Sequence, residues 1–224
     1  PLALPGGDRA AREPWRMAAS VLHALGRADE IVPRLGPVAG EGMAAGVRQM
    51  LDKGLNCPLT SSAGRWFDAA AAALGLCYSQ EDEAQAAIAL EQAAARALLL
   101  QPDLPALSGA VLCSNGIIDL RLLLAQLFDA ADIDAAAAGF HLALADALAS
   151  ALINAAAQRQ TRSAALGGGC FFNRILRERL IQRLTAAGLA VYLPGPQGCG
   201  DAGLAIGQAW VAAQQLAAPA RENV

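Results

Sequence analysis

The stretch Ser163-Ala164-Ala165-Leu166-Gly167-Gly168-Gly169 sets the fold class. Its first four residues read as a short apolar strand, and three consecutive glycines punctuate its end. Reading onward, Asn173 to Ala187 has the pattern of an amphipathic helix stopped by Gly188. Leu189 to Leu193 forms a second strand ended by Pro194, and the loop Gly195 to Gly200 leads into a helix from Asp201 to about Leu216. Strand, helix, strand, helix is the unit of a parallel sheet, which predicts an α/β fold. Glycines leaving a strand let a ligand approach the backbone, because no Cβ intervenes. The helix start beyond them offers N–H groups to phosphate. A tight turn that binds nothing competes with that reading, and the spacing is not the GxGxxG of a dinucleotide fold. Asp201 opens the next helix. In an open parallel sheet it would share a crevice with Gly167, Gly168 and Gly169 at the carboxyl ends of the strands. There it either caps its helix or, as a carboxylate beside a phosphate cradle, holds a metal.

Upstream, residues 1–160 read as helix-rich, 161–216 as the strand–helix–strand–helix part, and 217–224 as a frayed tail. Asp8 is placed to cap a helix running through Trp15 to Leu25, and Pro33 to Gly42 reads as a breaker region. A short helix from about Met43 to Leu51 ends near Gly54. From Arg65, the spacing of Phe67, Ala70, Ala71 and Leu74 is helical. Glu81, Asp82 and Glu83 open a further helix, with acidic residues at its positive end, that continues to about Leu100. Residues 103–115 read as extended pieces and turns, and helices are expected at 116–130 and 133–158.

Ser61, Ser62 and Gly64 form a second small-residue turn before a helix, fit for ribose or phosphate or simply for capping. Asp68, one turn inside, is a ribose acceptor or a surface charge. Glu83 and Gln85 reach a cleft or solvate a helix start. His23 and His141 lie in apolar helical patterns with no partner at metal-ligand spacing, which favours packing roles. Cys170 follows the glycines without a His/Asp constellation and reads as a small buried thiol. Trp15, Trp66 and Trp210 read as core anchors.

Composition narrows the classes further. Cations number 17 against 20 anions with no basic block, which argues against a nucleic-acid face. Lys53 is the sole lysine and no GxxxxGK[ST] occurs, so a P-loop is excluded. Five scattered cysteines without CxxC spacing fit a reducing cytoplasm better than a zinc site or disulfide framework. No secretory signal or uninterrupted apolar span is apparent, so no membrane is expected. Apolar residues make up 55% of 224, ample for a core.

Four segments, in order, resemble the HypF family of hydrogenase maturation carbamoyltransferases. Pro5-Gly6-Gly7-Asp8 with Arg12-Glu13-Pro14-Trp15 is similar to the opening of its C-terminal part. Thr60-Ser61-Ser62-Ala63-Gly64-Arg65-Trp66-Phe67-Asp68 resembles its SSxGRxFDA motif, and Leu166-Gly167-Gly168-Gly169-Cys170-Phe171-Phe172-Asn173-Arg174 its GGxFxNRxL loop. Gly200-Asp201-Ala202-Gly203-Leu204-Ala205-Ile206-Gly207-Gln208-Ala209 is similar to its NDGGxALGQA ending. The resemblance implies an actin-like ATPase (ASKHA, Kae1-like) lobe, helix-rich with a mostly parallel sheet. It implies use of ATP and carbamoyl phosphate through carbamoyl-adenylate, with transfer to the C-terminal cysteine of a HypE-type acceptor during cyanide-ligand assembly for nickel–iron hydrogenase.

By motif, Ser61, Ser62, Gly64, Asp68, Glu83, Gln85, Gly167, Gly168, Gly169 and Asn173 would hold the nucleotide. Asp201 would ligate a divalent metal, iron or zinc, completed by residues outside this chain. Two departures matter. Where the family has Tyr-Glu-Gly-Gln-Ala, this chain has Asp82-Glu83-Ala84-Gln85-Ala86, placing a Cβ where a backbone meets a ligand. The family's upstream HxxxH is not in this sequence, and the chain begins at Pro1 without Met. A lobe of a longer enzyme, weak in metal binding and catalysis by itself, is the expectation. The alternatives are a non-catalytic nucleotide-binding or scaffold lobe, and a related tRNA threonylcarbamoyl transferase or O-carbamoyltransferase. The intact 61–68 motif and the acidic charge count against the tRNA branch.

Overall fold

The computed structural model describes residues 1–195, 200 and 203–217. In chain order the elements are β1 (Leu2–Ala3), α1 (Arg9–Arg12), α2 (Pro14–Ala24), α3 (Ile31–Ala39), α4 (Glu41–Lys53), β2 (Leu59–Thr60), α5 (Ala63–Ala73) and α6 (Gln85–Leu100). There follow β3 (Val111–Leu112), β4 (Ile118–Asp119), α7 (Arg121–Leu127), α8 (Ile133–Gln158), β5 (Ser163–Ala165), α9 (Arg174–Ala186), β6 (Ala190–Tyr192) and α10 (Leu204–Ala217). The strands pair as three two-stranded ribbons. β1–β2 and β3–β4 are antiparallel. β5–β6 is parallel, with Ser163, Ala164 and Ala165 opposite Ala190, Val191 and Tyr192, as the strand–helix–strand reading requires.

α8 is apolar on nearly every side and is buried for that reason. Asp132 caps it by accepting the Ala135 N–H at 2.9 Å. Its alanines let α6 and α9 approach closely, and Gly139 admits Leu107, whose Cγ would stand 2.6 Å from any added Cβ. Phe140 meets Phe67 of α5 edge to face at a centroid distance of 5.6 Å. By length and composition α8 could cross a membrane, but 67% of its apolar window is buried inside the chain. A second cluster, around Trp15, Leu22, Ile31, Leu35 and Val47, joins α2, α3 and α4.

Several local expectations are corrected. Asp8 makes no side-chain cap. The helix expected to run through Trp15 breaks at Glu13 (φ −122°, ψ 77°), because Pro14 disfavours the helical region for its predecessor. The breaker region at Pro33 is helix α3: Pro33 falls in the first turn, where an N–H has no partner to lose. Helix 116–130 is shortened to α7, since Cys113 to Ile117 turns a hairpin, closed by Cys113 N–H donating to Ile117 O at 2.8 Å. Glu81, Asp82 and Glu83 precede α6 rather than open it, and Ala84 enters it left-handed at φ +61°. Trp15 and Trp66 are buried, but Trp210 is 67% exposed on α10.

Candidate nucleotide site

The glycine turn leaves β5 and passes through a 3-10 turn at Gly169–Phe172 into α9. Gly168 takes φ +111° and ψ 153°, a conformation that L side chains rarely adopt. Gly167, Gly168 and Gly169 are exposed, and a Cβ on any of them would meet nothing within 4 Å. The space they face is a cleft of about 730 Å³ closed on its far side by α10. Gly168, Gly169, Gly200, Gly203, Gly207 and Gln208 are among its lining residues. One wall is thus bare glycine backbone, and the α10 wall adds Leu204, Val211, Ala212 and Gln215.

Asn173 does not line this cleft. It is buried beneath the turn, where Oδ1 accepts the Leu176 N–H at 2.9 Å and caps α9. That bond orients the amide, so Nδ2 donates to Nε2 of His141 at 2.9 Å. The His141 proton therefore sits on Nδ1 and is donated to Ala137 O at 2.8 Å. Burial holds the His141 pKa below its ordinary value, partly offset by the Ala137 carbonyl and the charge of Glu91. Glu91 of α6 accepts the N–H of Arg174 at 2.6 Å and of Ile175 at 3.3 Å. The start of α9 is thus already occupied, and the free amides expected there are not available to a phosphate.

The 61–68 segment stands apart from the cleft, and no residue of it lines that space. Ser61 and Ser62 are exposed; Ser62 stands at the α5 N-cap without a side-chain cap bond, its own N–H donating to Thr60 Oγ1 at 3.1 Å. Gly64 is half-buried in the first turn of α5. Asp68 points inward at 2% exposure. Arg65 Nη1 lies 2.7 Å from Asp68 Oδ2, so the two charges form a buried ion pair. Burial pushes the Asp68 carboxyl up to about 6, against the pull of Arg65 and Gln80. Arg65 and Asp68 also act on Cys170, which ties this segment to the glycine turn. Burial pushes both the Cys170 and Cys77 thiols up, which favours the inert thiol form. Glu83 is exposed outside the cleft. Gln85 folds back, its Oε1 accepting the Glu81 N–H at 3.0 Å.

The structure therefore unites Gly168 and Gly169 with α10 and sets Asn173 as support beneath them. Asp201 lies outside the described residues. Among those described, no group of three or more His, Cys, Asp or Glu could hold a metal ion. Sequence reasoning missed Glu91, His141 as a partner of Asn173, and the α10 wall. Gly203, just before α10, and Gly207, in its first turn, were the available signal for that wall.

Residues 1–208 match the family described as carbamoyltransferase, Kae1-like domain, second subdomain. The chain belongs to this carbamoyltransferase family. It is 53% identical over 220 residues to the carbamoyltransferase HypF homolog of Cupriavidus necator, covering 96% of this chain and 56% of that protein. The carbamoyltransferase HypF of Rhizobium leguminosarum bv. viciae is 40% identical over 224 residues, with 96% and 27% covered. A crystal structure of full-length HypF in the phosphate- and nucleotide-bound form superposes with a TM-score of 0.81 at 25% identity, covering 98% of this chain and 29% of that one. The fold is thus the Kae1-like, actin-like lobe of HypF proteins. The chain spans about half the length of the first of these relatives and under a third of the second.

Proposed function

We propose that this chain supplies the nucleotide-holding lobe of a cytoplasmic, ATP-dependent carbamoyltransferase. The observation that carries it is the open glycine turn, with its Cβ-free face toward the cleft under α10. A nucleotide phosphate or a carbamoyl-adenylate would lie against Gly168 and Gly169, with Gly203 and Gly207 opposite. Asn173 would keep the turn in place from below. The buried Arg65–Asp68 ion pair would brace α5 behind Ser61, Ser62 and Gly64, which would meet the nucleotide from a second side. Glu83 and Gln85 would reach the nucleotide by a change at the 81–84 bend.

In the full reaction, water cleaves carbamoyl phosphate to carbamate and phosphate, and a carbamate oxygen attacks the α-phosphorus of ATP, so that pyrophosphate leaves and carbamoyl-adenylate forms. The C-terminal thiolate of a HypE-type acceptor then attacks the carbamoyl carbon. The C–S bond forms, the C–O bond to the adenylate phosphate breaks, and AMP leaves with that electron pair. A divalent metal, iron or zinc, would polarise the carbamoyl oxygen or neutralise phosphate when bound. Asp201 is the ligand we assign to it, and the remaining ligands would come from other domains of the same enzyme. The described residues form no donor set of their own, so this chain's share is binding and orientation. A scaffold lobe without turnover is the second reading, favoured by the Cβ of Ala84 at the α6 entrance.

Calorimetric titration of ATP, and then ADP, into the chain tests the proposal, with Gly169→Val as the blocked variant. Valine there adds bulk to open space without requiring a left-handed backbone. Saturable binding abolished by valine supports the reading. A folded chain that takes up neither nucleotide, or a valine variant that binds equally well, refutes it.

A further inference from the structure

Three exposed glycines in a row have no side chains to restrain them, and each loses much backbone freedom when ordered. The conformation of the turn must therefore be fixed at its ends. At the strand end, the Leu166 N–H donates to Tyr192 O at 3.0 Å. At the helix end, the anchor comes from another element: Glu91, in the second turn of α6, accepts the Arg174 and Ile175 amides. These are the first two N–H groups of α9, which no helix satisfies internally, and a carboxylate there faces the positive end of the dipole. Asn173 takes the Leu176 amide. Glu91 also acts on His141, the residue that holds the Asn173 side chain. Gln85 lies six residues earlier on the same helix, roughly 9 Å along its axis, so α6 physically joins the 83–85 segment to the glycine turn.

We propose that Glu91 is a positioning residue that fixes the Gly167–Phe172 turn against α6, so that the cradle keeps one conformation before ligand arrives. Preorganisation of this kind lowers the ordering cost of binding. The ligand in this proposal rests on the nucleotide reading above; the mechanical coupling does not.

The test uses the chain with Glu91→Ala, Glu91→Gln and, as a stability control at the far end of α9, Leu184→Ala. Amide hydrogen exchange and ATP calorimetry are both measured. In Glu91→Ala, exchange of the Gly168–Ile175 amides should rise about tenfold or more beyond any global change, with ATP affinity falling by a similar factor. Glu91→Gln still offers an amide oxygen and should stay within about threefold of wild type. Leu184→Ala should change exchange everywhere in proportion to lost stability. If Glu91→Ala exchanges like wild type, or changes only in the uniform manner of Leu184→Ala, the proposal is overturned. It is overturned equally if the turn loosens while ATP binds with unchanged affinity. A wild-type chain that binds no ATP sinks the nucleotide reading, and exchange still decides whether Glu91 anchors the turn.

Discussion

Replacing Asn173 offers the sharpest test of the support beneath the cradle. Alanine removes the α9 cap, which costs about 0.5–2 kcal/mol. It also strands the fully buried Nε2 of His141, which costs about 1–3 kcal/mol. The sum is roughly 1.5–5 kcal/mol, or some 3–20 °C in Tm for a domain of this size. Asn173→Ala therefore perturbs the fold as well as any ligand. Asn173→Asp is more informative. Aspartate caps as well as asparagine but has no hydrogen to donate, so the contact returns only when His141 is protonated. In the wild-type chain the His141 pKa lies below the unfolded value of about 6.5. The unfolded chain then binds more protons, and the stability from His141 is lost as pH falls below about 6.5. In Asn173→Asp the folded pKa should rise above that value. The stability is then fully present below about 6.5 and lost as pH rises through the new pKa. Urea unfolding from pH 5.5 to 7.5, with NMR titration of the imidazole, reads both slopes. Other titrating groups cancel in the difference between the two proteins. Equal slopes, or an imidazole that stays neutral in Asn173→Asp, would refute the hydrogen-bond assignment.

Ala84→Gly should raise stability by up to about 1 kcal/mol. It relieves a left-handed L residue, worth about 1–2 kcal/mol, against a smaller entropic loss from the unfolded chain; a thermal melt showing a lower Tm contradicts the φ of +61°. The Asp68 carboxyl, raised by burial from 3.8 to about 6, gives stability that is present below about pH 4 and lost as pH rises through 6. Asp68→Asn should escape that loss, gaining on wild type by up to about 3 kcal/mol between pH 4 and 6.5. A flat difference across that range in chemical denaturation would mean Asp68 is solvated.

Local signals were legible where chain neighbours decide the outcome. Ser163–Leu166, the following helix and the strand before Pro194 form as read, because apolar runs and glycine or proline stops act within a few residues. α8 has the predicted bounds because Asp132 caps it. The misreadings also have local causes. Pro33 reads as a breaker although a helix's first turn accepts it, and three acidic residues at 81–83 resemble a helix start one turn before α6 begins. The site was half legible. Glycines announce a bare backbone, but the bond from His141 to Asn173 spans 32 residues and that from Glu91 to Arg174 spans 83. Such pairs are set by helix packing, which no periodicity encodes. Tryptophan is usually covered, yet α10 turns Trp210 outward here.

Residues Pro14–Leu22 of α2 are all buried, with Met17 and Val21 in the central cluster and Trp15, Ala18, Ala19 and Leu22 in the α3–α4 cluster. One helix is thus a party wall between two apolar compartments. Neither compartment can open without stripping a face of the other, so the N-terminal helices should not exchange or melt as a separate cooperative unit. Heat or denaturant should take both compartments together in a single transition.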